Sequence, residues 1–430
     1  MASFYNANAS DIDPAELITE LLLTNNPFAQ KAGGETWSTA WAPDSSCFAW
    51  SCGNRIVKII PWNRVRNEVN LNDPSDENDY EQENDHFAIR GYTTNREGIG
   101  FGRHVKRHAV TIDAGELIWS VAFGSSSAET QPHSVNLSMR HYNHAADLLL
   151  ATGLNSGRIR VWEVSSGRLM FELLDHKDVV RDLKFSPDGL LQLVSASRDG
   201  TVKVWDIVDD GNMKKTLRGN AKWVYSCVWS PDAKRLACVG NQKSVIVWDM
   251  KTYKCIHKLE GHYHDVVSCD FSPDGALLVT ASYDTRVLIW DAHTGEKIQE
   301  LRHLFPPPTF IFAGGANDTY VRSVSFSHDG MHVASVADDR YVRFWRILDG
   351  EGPPEQITVV PDALCCSYSP DGTVLAVGTR NGAVSFWAAP MEVESLQHLC
   401  RMAVRRILPT PSVDHIHLPM RLKEFLKYHL

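Results

Sequence analysis

The chain has 430 residues with a formal charge of −9, and 43% of them are hydrophobic and 10% aromatic. This composition provides for a packed core and excludes global disorder, and the acidic balance argues against a nucleic-acid binder. No window approaches about 18 consecutive apolar residues, and the start of the chain has neither a basic leader nor an apolar signal core, so a cytoplasmic location, with the nucleus also accessible, is expected. The nine cysteines are scattered without a C-x-x-C pair. Core thiols are therefore expected, rather than a zinc site, a disulfide framework or a bound cofactor.

Asp13-Pro14-Ala15-Glu16 has the cap, first-turn proline and third-position glutamate of a helix start, and Leu17, Ile18, Leu21 and Leu22 follow at helical spacing. The spacing predicts a short helix followed by an edge strand within an N-terminal segment, 1–31. From Trp37 the text changes to short alternating strands separated by turns, and a first unit runs to Trp62 with Ala42-Pro43-Asp44 at its turn. An insertion follows at about 63–105, acidic first (Asp73, Asp76, Glu77, Asp79) and basic later (Arg90, Arg96, Arg103). A charge-segregated stretch poor in apolar residues reads as a solvated loop. A second unit spans about Gly115 to Val164 with its own polar insertion near Ser125 to Asn143, and later units follow closely except around Pro306, Pro307 and Pro308.

The clearest copy is Gly261 to Ala292. Gly261-His262 opens it, Ser272-Pro273-Asp274-Gly275 makes its turn, and Trp290-Asp291 closes it. Aligned on the closing tryptophan, the units end at Trp62, Trp162, Trp205, Trp248, Trp290, Trp345 and Trp387. Away from the insertions the step is close to the roughly 40 to 45 residues of a known repeat class. These units resemble the repeat of the WD40 family, and seven of them imply an all-β, seven-bladed propeller over 32–390, because one unit cannot bury its own faces. Such a ring needs a closing strand, and Leu17 to Phe28 is the candidate, in tension with the helical spacing there.

The same resemblance implies a buried relay that ties the strands of a blade together, made by His176, Ser197, Asp199 and Trp205 in the third blade and by His262, Ser282, Asp284 and Trp290 in the fifth. Serine, histidine and aspartate are also the residue types of an acyl-transfer triad, but recurrence at the repeat period marks packing, and a non-catalytic protein is expected. In the fourth blade Asn220 and Gln242 replace the histidine and aspartate, and in the seventh Asn381 stands at the aspartate position. Arg198, Asn241, Tyr283 and Arg380 precede turn aspartates or their counterparts, and Trp223 and Tyr320 lie where blades are entered. Aromatic and arginine side chains on a rim are the usual anchors of protein recognition, which makes this set the candidate surface for a target protein.

After Trp387 the strand pattern ends. Ser395 to Leu408 has Leu396, Leu399, Cys400, Ala403, Val404, Ile407 and Leu408 on one helical stripe, with Ser395 as cap, Pro409 as stop, and Arg401, Arg405 and Arg406 expected on the solvent side. A second short helix is expected after Pro419, with Leu422, Phe425 and Leu426 apolar. A tail of roughly 35 residues cannot bury two such stripes alone, so it must fold against its own propeller or another protein.

Leu396, Cys400 and Val404, spaced i, i+4 and i+8 after a serine, are similar to the elongin-binding pattern of a SOCS box. Ile416-His417-Leu418-Pro419 through Leu426 is similar to a cullin box that keeps Pro419 and has His417 where the first proline is expected. A WD40 propeller ending in a SOCS box, 391–430, resembles the WD repeat and SOCS box-containing proteins. That resemblance implies elongin contacts by Leu396, Leu399, Cys400 and Val404, and cullin contacts by Leu418, Pro419, Leu422, Phe425 and Leu426. It implies a substrate receptor that assembles with elongin B, elongin C, cullin-5 and a RING subunit, and that acts by proximity without covalent chemistry of its own. The rival expectation is a plain interaction scaffold whose helical tail packs on its own propeller.

Overall fold

The computed structural model describes residues 13–23, 34–53, 55–62, 86–95, 98–101, 105–108, 110–126, 148–219, 222–303, 320–347, 352–390 and 395–428. They form seven sheets, antiparallel apart from one short parallel edge pair, arranged as the blades of a propeller and followed by short helices. Blade one is Thr39–Trp41, Cys47–Cys52, Ile56–Pro61 and Val110–Asp113; blade two is Ile118–Gly124, Leu149–Leu154, Arg158–Glu163 and Arg168–Leu174. Blade three is Val180–Phe185, Gln192–Ser197, Val202–Asp206 and Asn212–Leu217; blade four is Val224–Trp229, Arg235–Gly240, Ser244–Asp249 and Lys254–Glu260. Blade five is Val266–Phe271, Leu277–Ser282, Arg286–Asp291 and Lys297–Arg302. Blade six is Val321–Phe326, His332–Ala337, Tyr341–Arg346 and Gln356–Val359. Blade seven takes Ala363–Tyr368, Val374–Thr379 and Val384–Ala388 from its own repeat and its fourth strand, Leu17–Leu23, from the start of the chain.

The helical spacing near the N-terminus is therefore overridden. Leu17–Leu23 pairs antiparallel with Val384–Ala388, and Thr19 and Leu21 turn inward at 0% and 1% exposure, the period of a strand. Asp13–Pro14 also pairs, in parallel, with Gln356–Val359, so the first described residues grip blades six and seven together. The later half of the insertion is not a loop in its backbone. His86–Asn95 adds to the outer side of Leu17–Leu23, and Gly98–Phe101 and Val105–His108 pair with it in turn. The acidic half, the polar insertion of blade two from 127 onward, Asn220 and the three-proline segment lie outside the described residues.

Each boundary between neighbouring blades has its own hydrophobic cluster. Phe326 and Trp345 meet Leu277 and Val279 between blades five and six, and Phe48 and Trp50 meet Phe386 and Leu21 between blades one and seven. A propeller is thus a ring of similar interfaces, each burying the faces its blades cannot cover alone. Blade one departs from the tryptophan register. Trp162 pairs with Leu150 and Trp290 with Leu278, but in blade one the residue opposite Phe48 is Ile60. Trp62 falls two residues later and fills the boundary with blade seven, 4.6 Å edge-on from Trp41.

Within blades, the Ser-Pro-Asp-Gly turn explains itself. In blade five the Ser272 hydroxyl donates to Asp274 Oδ1 at 2.5 Å, the same oxygen accepts from Ala276 N at 3.0 Å, and Gly275 adopts the φ of +69° that the turn needs.

Candidate functional site

The relays are buried networks of fixed direction. In blade three Trp205 Nε1 donates to Ser195 Oγ at 2.9 Å, Ser195 Oγ lies 2.7 Å from His176 Nε2, and His176 Nδ1 lies 2.8 Å from Asp199 Oδ2. Blade five repeats this with Trp290, Thr280, His262 and Asp284, at 2.9, 2.8 and 2.9 Å. The relay hydroxyls are thus Ser195 and Thr280, not Ser197 and Ser282. Those two sit one step further along, where Ser197 Oγ donates to Asp178 O and Ser282 Oγ to His264 O, each accepting from the following aspartate's amide. Burial alone would raise the Asp284 carboxyl, but the hydrogen bond from His262 and its charge, with Arg286, hold it down at about 2. Ser195 and Thr280 are fully buried and already accept from tryptophan, so neither can meet a substrate as a nucleophile.

Blade six carries a third relay that the sequence reading missed, because the long insertion after His303 separates it from the blade. Arg343 Nη1 donates to His303 Nδ1 at 3.0 Å, His303 Nε2 meets Ser335 Oγ at 2.9 Å, and Trp345 Nε1 donates to Ser335 at 2.7 Å. An arginine on Nδ1 requires that nitrogen to accept, so Nε2 carries the proton and donates, opposite to the other two relays. Burial, reinforced by the Arg343 charge, pushes this imidazole well below the ordinary histidine range.

The tail forms three helices, α1 (Leu396–Ile407), α2 (Thr410–Val413) and α3 (Met420–Leu426). Ser395 Oγ accepts from His398 N at 3.1 Å as the cap. The orientation of α1 reverses the expected one. Arg401 and Arg405, at 4% and 1% exposure, face the propeller together with His398 and Met402, whereas Leu396 and Ile407 stand out at 77% and 81%, with Leu399 and Cys400 also exposed. Arg406 alone of the three arginines is on the solvent side.

Two aspartates of blade five receive this polar face. Asp291 caps its own turn with Oδ1, accepting from His293 and Thr294, and presents Oδ2 to Thr410 Oγ1 at 2.5 Å and to Arg405 at 3.8 Å. Asp274 divides its oxygens the same way, since its Oδ2 accepts from the Tyr428 hydroxyl at 2.5 Å. The Tyr428 ring joins the cluster between blades five and six, and Met402 presses on Gly330, where a Cβ would come within 3.0 Å of its methyl. His398 Nε2 donates to Asp329 O at 2.7 Å, its Nδ1 accepts from Arg401, and that guanidinium lies between the rings of Phe425 and Tyr428 at 4.4 and 4.3 Å.

Of the residues expected on a cullin, Leu426 is 7% exposed and Phe425 is half-buried under Arg401, while Leu422 and Pro419 are exposed and Leu418 is intermediate. Val404 is half-buried at the edge of the free stripe.

The opposite rim is built from the turns between second and third strands and from the entries into each blade. The entry strands of blades two to seven all slip register at their second residue, which a bulge re-aims. Those residues are Trp119, Arg181, Tyr225, Val267, Arg322 and Leu364, with Trp37 the counterpart in blade one, so one residue per blade rings the channel mouth. Trp37 and Trp119 lie 4.7 Å apart, and Arg181 stacks over Trp119 at 4.3 Å. Arg198 reaches Trp223 at 5.3 Å, Asn241 accepts from Trp223 N at 3.0 Å, and Tyr283 packs 4.8 Å from Tyr320. Arg322 binds Asp338 at 2.6 Å and the Tyr283 hydroxyl at 3.0 Å. Arg380 projects into solvent away from these contacts. This column is legible without the structure: aligning entry strands, rather than closing tryptophans, stacks Trp37-Ser38, Trp119-Ser120, Tyr225-Ser226 and Arg322-Ser323.

All nine cysteines are free thiols, and Cys255 and Cys400 are the exposed ones. Among the described residues no helix is long and apolar enough to cross a membrane, and no three histidine, cysteine or acidic side chains gather at metal-binding distance.

Comparison with known proteins matches residues 167–206, 211–249, 253–291, 306–346 and 358–388 to the WD domain, G-beta repeat, and residues 392–427 to the SOCS box. The human WD repeat and SOCS box-containing protein 1 is 53% identical over 432 residues, covering 100% of both chains. The mouse protein of that name is 51% identical, with 100% of each chain covered, and the zebrafish (Danio rerio) protein 50%, covering 100% of this chain and 99% of its own.

Proposed function

Because the chain belongs to the WD repeat and SOCS box-containing protein family, a SOCS-box substrate receptor of a cullin-RING ligase, we propose that its tail recruits elongins B and C, cullin-5 and a RING subunit while the rim opposite the tail holds the target protein. The observation that carries this reading is the inverted α1: its arginine and histidine face is spent on blades five and six, and its leucine stripe is left in solvent. Burying an exposed leucine or isoleucine is worth about 1.5 to 3 kcal/mol each, so Leu396, Leu399 and Ile407 together are a substantial reserve for a partner helix. Leu396, Leu399, Cys400 and Val404 form the elongin surface, and Leu418, Pro419 and Leu422 supply the accessible part of a cullin surface. The receptor places target lysines near a charged conjugating enzyme and performs no covalent chemistry. We assign it to the cytoplasm.

The rival scaffold reading explains that the tail docks. It does not explain why the docked face is the polar one. Co-purification with elongins B and C tests the proposal, comparing the native chain with a Leu396→Glu, Cys400→Glu double variant. Loss of the complex with an unchanged propeller melting transition is expected, because both positions are exposed. Retained binding in the double variant, or a native chain that ignores elongins, would sink it.

A further inference from the structure

Resting on the reading that the rim opposite the tail holds the target, we propose that the channel mouth around Arg181 recognises an anionic side chain, a carboxylate or phosphate, on an extended segment of that target. Seven equivalent positions ring this mouth, and two of them are arginines with contrasting partners. Arg322 is satisfied, held by Asp338 at 2.6 to 3.0 Å through Nε and Nη2. Arg181 has no carboxylate or carbonyl partner among the described residues, and its Nε is buried without a hydrogen bond. Beside it Arg198 is in the same condition, with its own buried Nε unpaired.

The nearby acids are committed elsewhere. Asp182 is turned toward blade four, accepting from Ser226 Oγ at 2.7 Å and Cys227 N at 3.1 Å, and Asp265 faces the Tyr225 hydroxyl. What does hold Arg181 in place is aromatic: Trp119 at 4.3 Å, with Trp37 and Tyr225 each at 5.8 Å. Stacking fixes the plane of a guanidinium while leaving its N–H edge free, the arrangement that suits bidentate capture of a carboxylate or phosphate. Burial, with Arg198 as a repelling neighbour, also lowers this guanidinium to about 10, a cost that an incoming anion would relieve. The flanking tryptophans offer apolar walls for the residues on either side of the anion, so the recognised segment is an acidic residue with apolar neighbours.

The test is a random peptide library panned against the full chain in two forms, one unmodified and one with a fixed central phosphoserine. We expect binders with an acidic group at one fixed position, losing tenfold or more in affinity against Arg181→Gln. Replacing the acidic residue by glutamine should give the same loss, with no further loss when both changes are combined. Enrichment of aspartate or glutamate in the unmodified form assigns a carboxylate, and binding only in the modified form assigns a phosphate. Arg181→Lys, which keeps the charge without the fork, should retain part of the binding and shows that lost affinity is not lost folding. Binders without an acidic requirement, unchanged by Arg181→Gln but abolished by Tyr283→Ala, would overturn this inference alone. Binders indifferent to every substitution on the rim would overturn the target-holding reading as well.

Discussion

His303 shows how one neighbour sets the sense of a hydrogen-bonded chain. In blades three and five an aspartate faces Nδ1 and the proton is drawn toward it; in blade six Arg343 takes that place and the imidazole must accept. A neutral ring is thereby built in, since protonation would set two cations against each other in a buried site. The sign of the pH effect follows: the unfolded chain takes up a proton near pH 6.5 and the folded ring does not, so this contribution is present above about 6.5 and is lost as pH falls below it. We expect native protein to lose more stability between pH 7 and pH 5 than His303→Gln, by up to about 2 kcal/mol, in denaturant titrations; equal slopes would contradict it. His293, lowered to about 4 by burial and by Arg235 and Arg405, adds to the same trend. His332 opposes it, because bonds to Asp329 and Glu355 outweigh burial and leave it raised. The histidine, aspartate and tryptophan of the relays in blades three and five were legible in the sequence, but the choice of hydroxyl was not, and the blade-six relay stayed hidden behind its insertion. Ser195 and Ser197 share a strand face at period two, and only hydrogen-bond geometry distinguishes them.

At the scale of the element, the limits of α1 could be read from Ser395 and Pro409, and its amphipathic stripe from spacing. Which face is covered could not be. Periodicity says where apolar residues lie, whereas docking here is decided by the second oxygens of Asp274 and Asp291, which are spoken for only once the blade has folded. The short α2 escaped notice for the same reason, its role being to bring Thr410 to Asp291. Arg405 joins these parts, with Nη2 on Thr410 at 2.6 Å and Nη1 on Leu408 O at 3.2 Å. Removing one member of a buried ion pair typically costs about 3 to 5 kcal/mol, so Arg405→Met should release the tail. Hydrogen exchange over residues 396–428 should quicken by at least tenfold while the blades keep their protection; unchanged exchange would mean that Tyr428 and Met402 hold the tail by themselves.

For the whole molecule, the seven-unit count was legible from the closing tryptophans, and the need for a closing strand pointed to Leu17 to Phe28. What was not legible was that Leu17–Leu23 is strand from its first residue, since Asp13-Pro14-Ala15-Glu16 carries genuine helix-start chemistry that strand pairing with Val384–Ala388 overrules. Deleting residues 1–23 should leave Val384–Ala388 as an open edge and vacate the Leu21 site between blades one and seven, giving aggregation and a broadened melting transition. A sharp native-like transition in the truncated chain would show that the ring closes without its first strand. The separation of the two faces has a geometric outcome for ubiquitin transfer. Blade five has Asp274 and Asp291 against the tail at one end and Tyr283 at the other, so under the proposed reading a target gripped at the channel mouth would have the thickness of the disc between it and the ligase arm. Lysines beside the gripped residue would then be screened, and only those on a body broad enough to overhang the disc's edge would come within reach. A short peptide taken from a target should therefore bind without being modified and compete as an inhibitor, whereas the same peptide fused to a folded lysine-bearing domain should be ubiquitinated in a reconstituted assay.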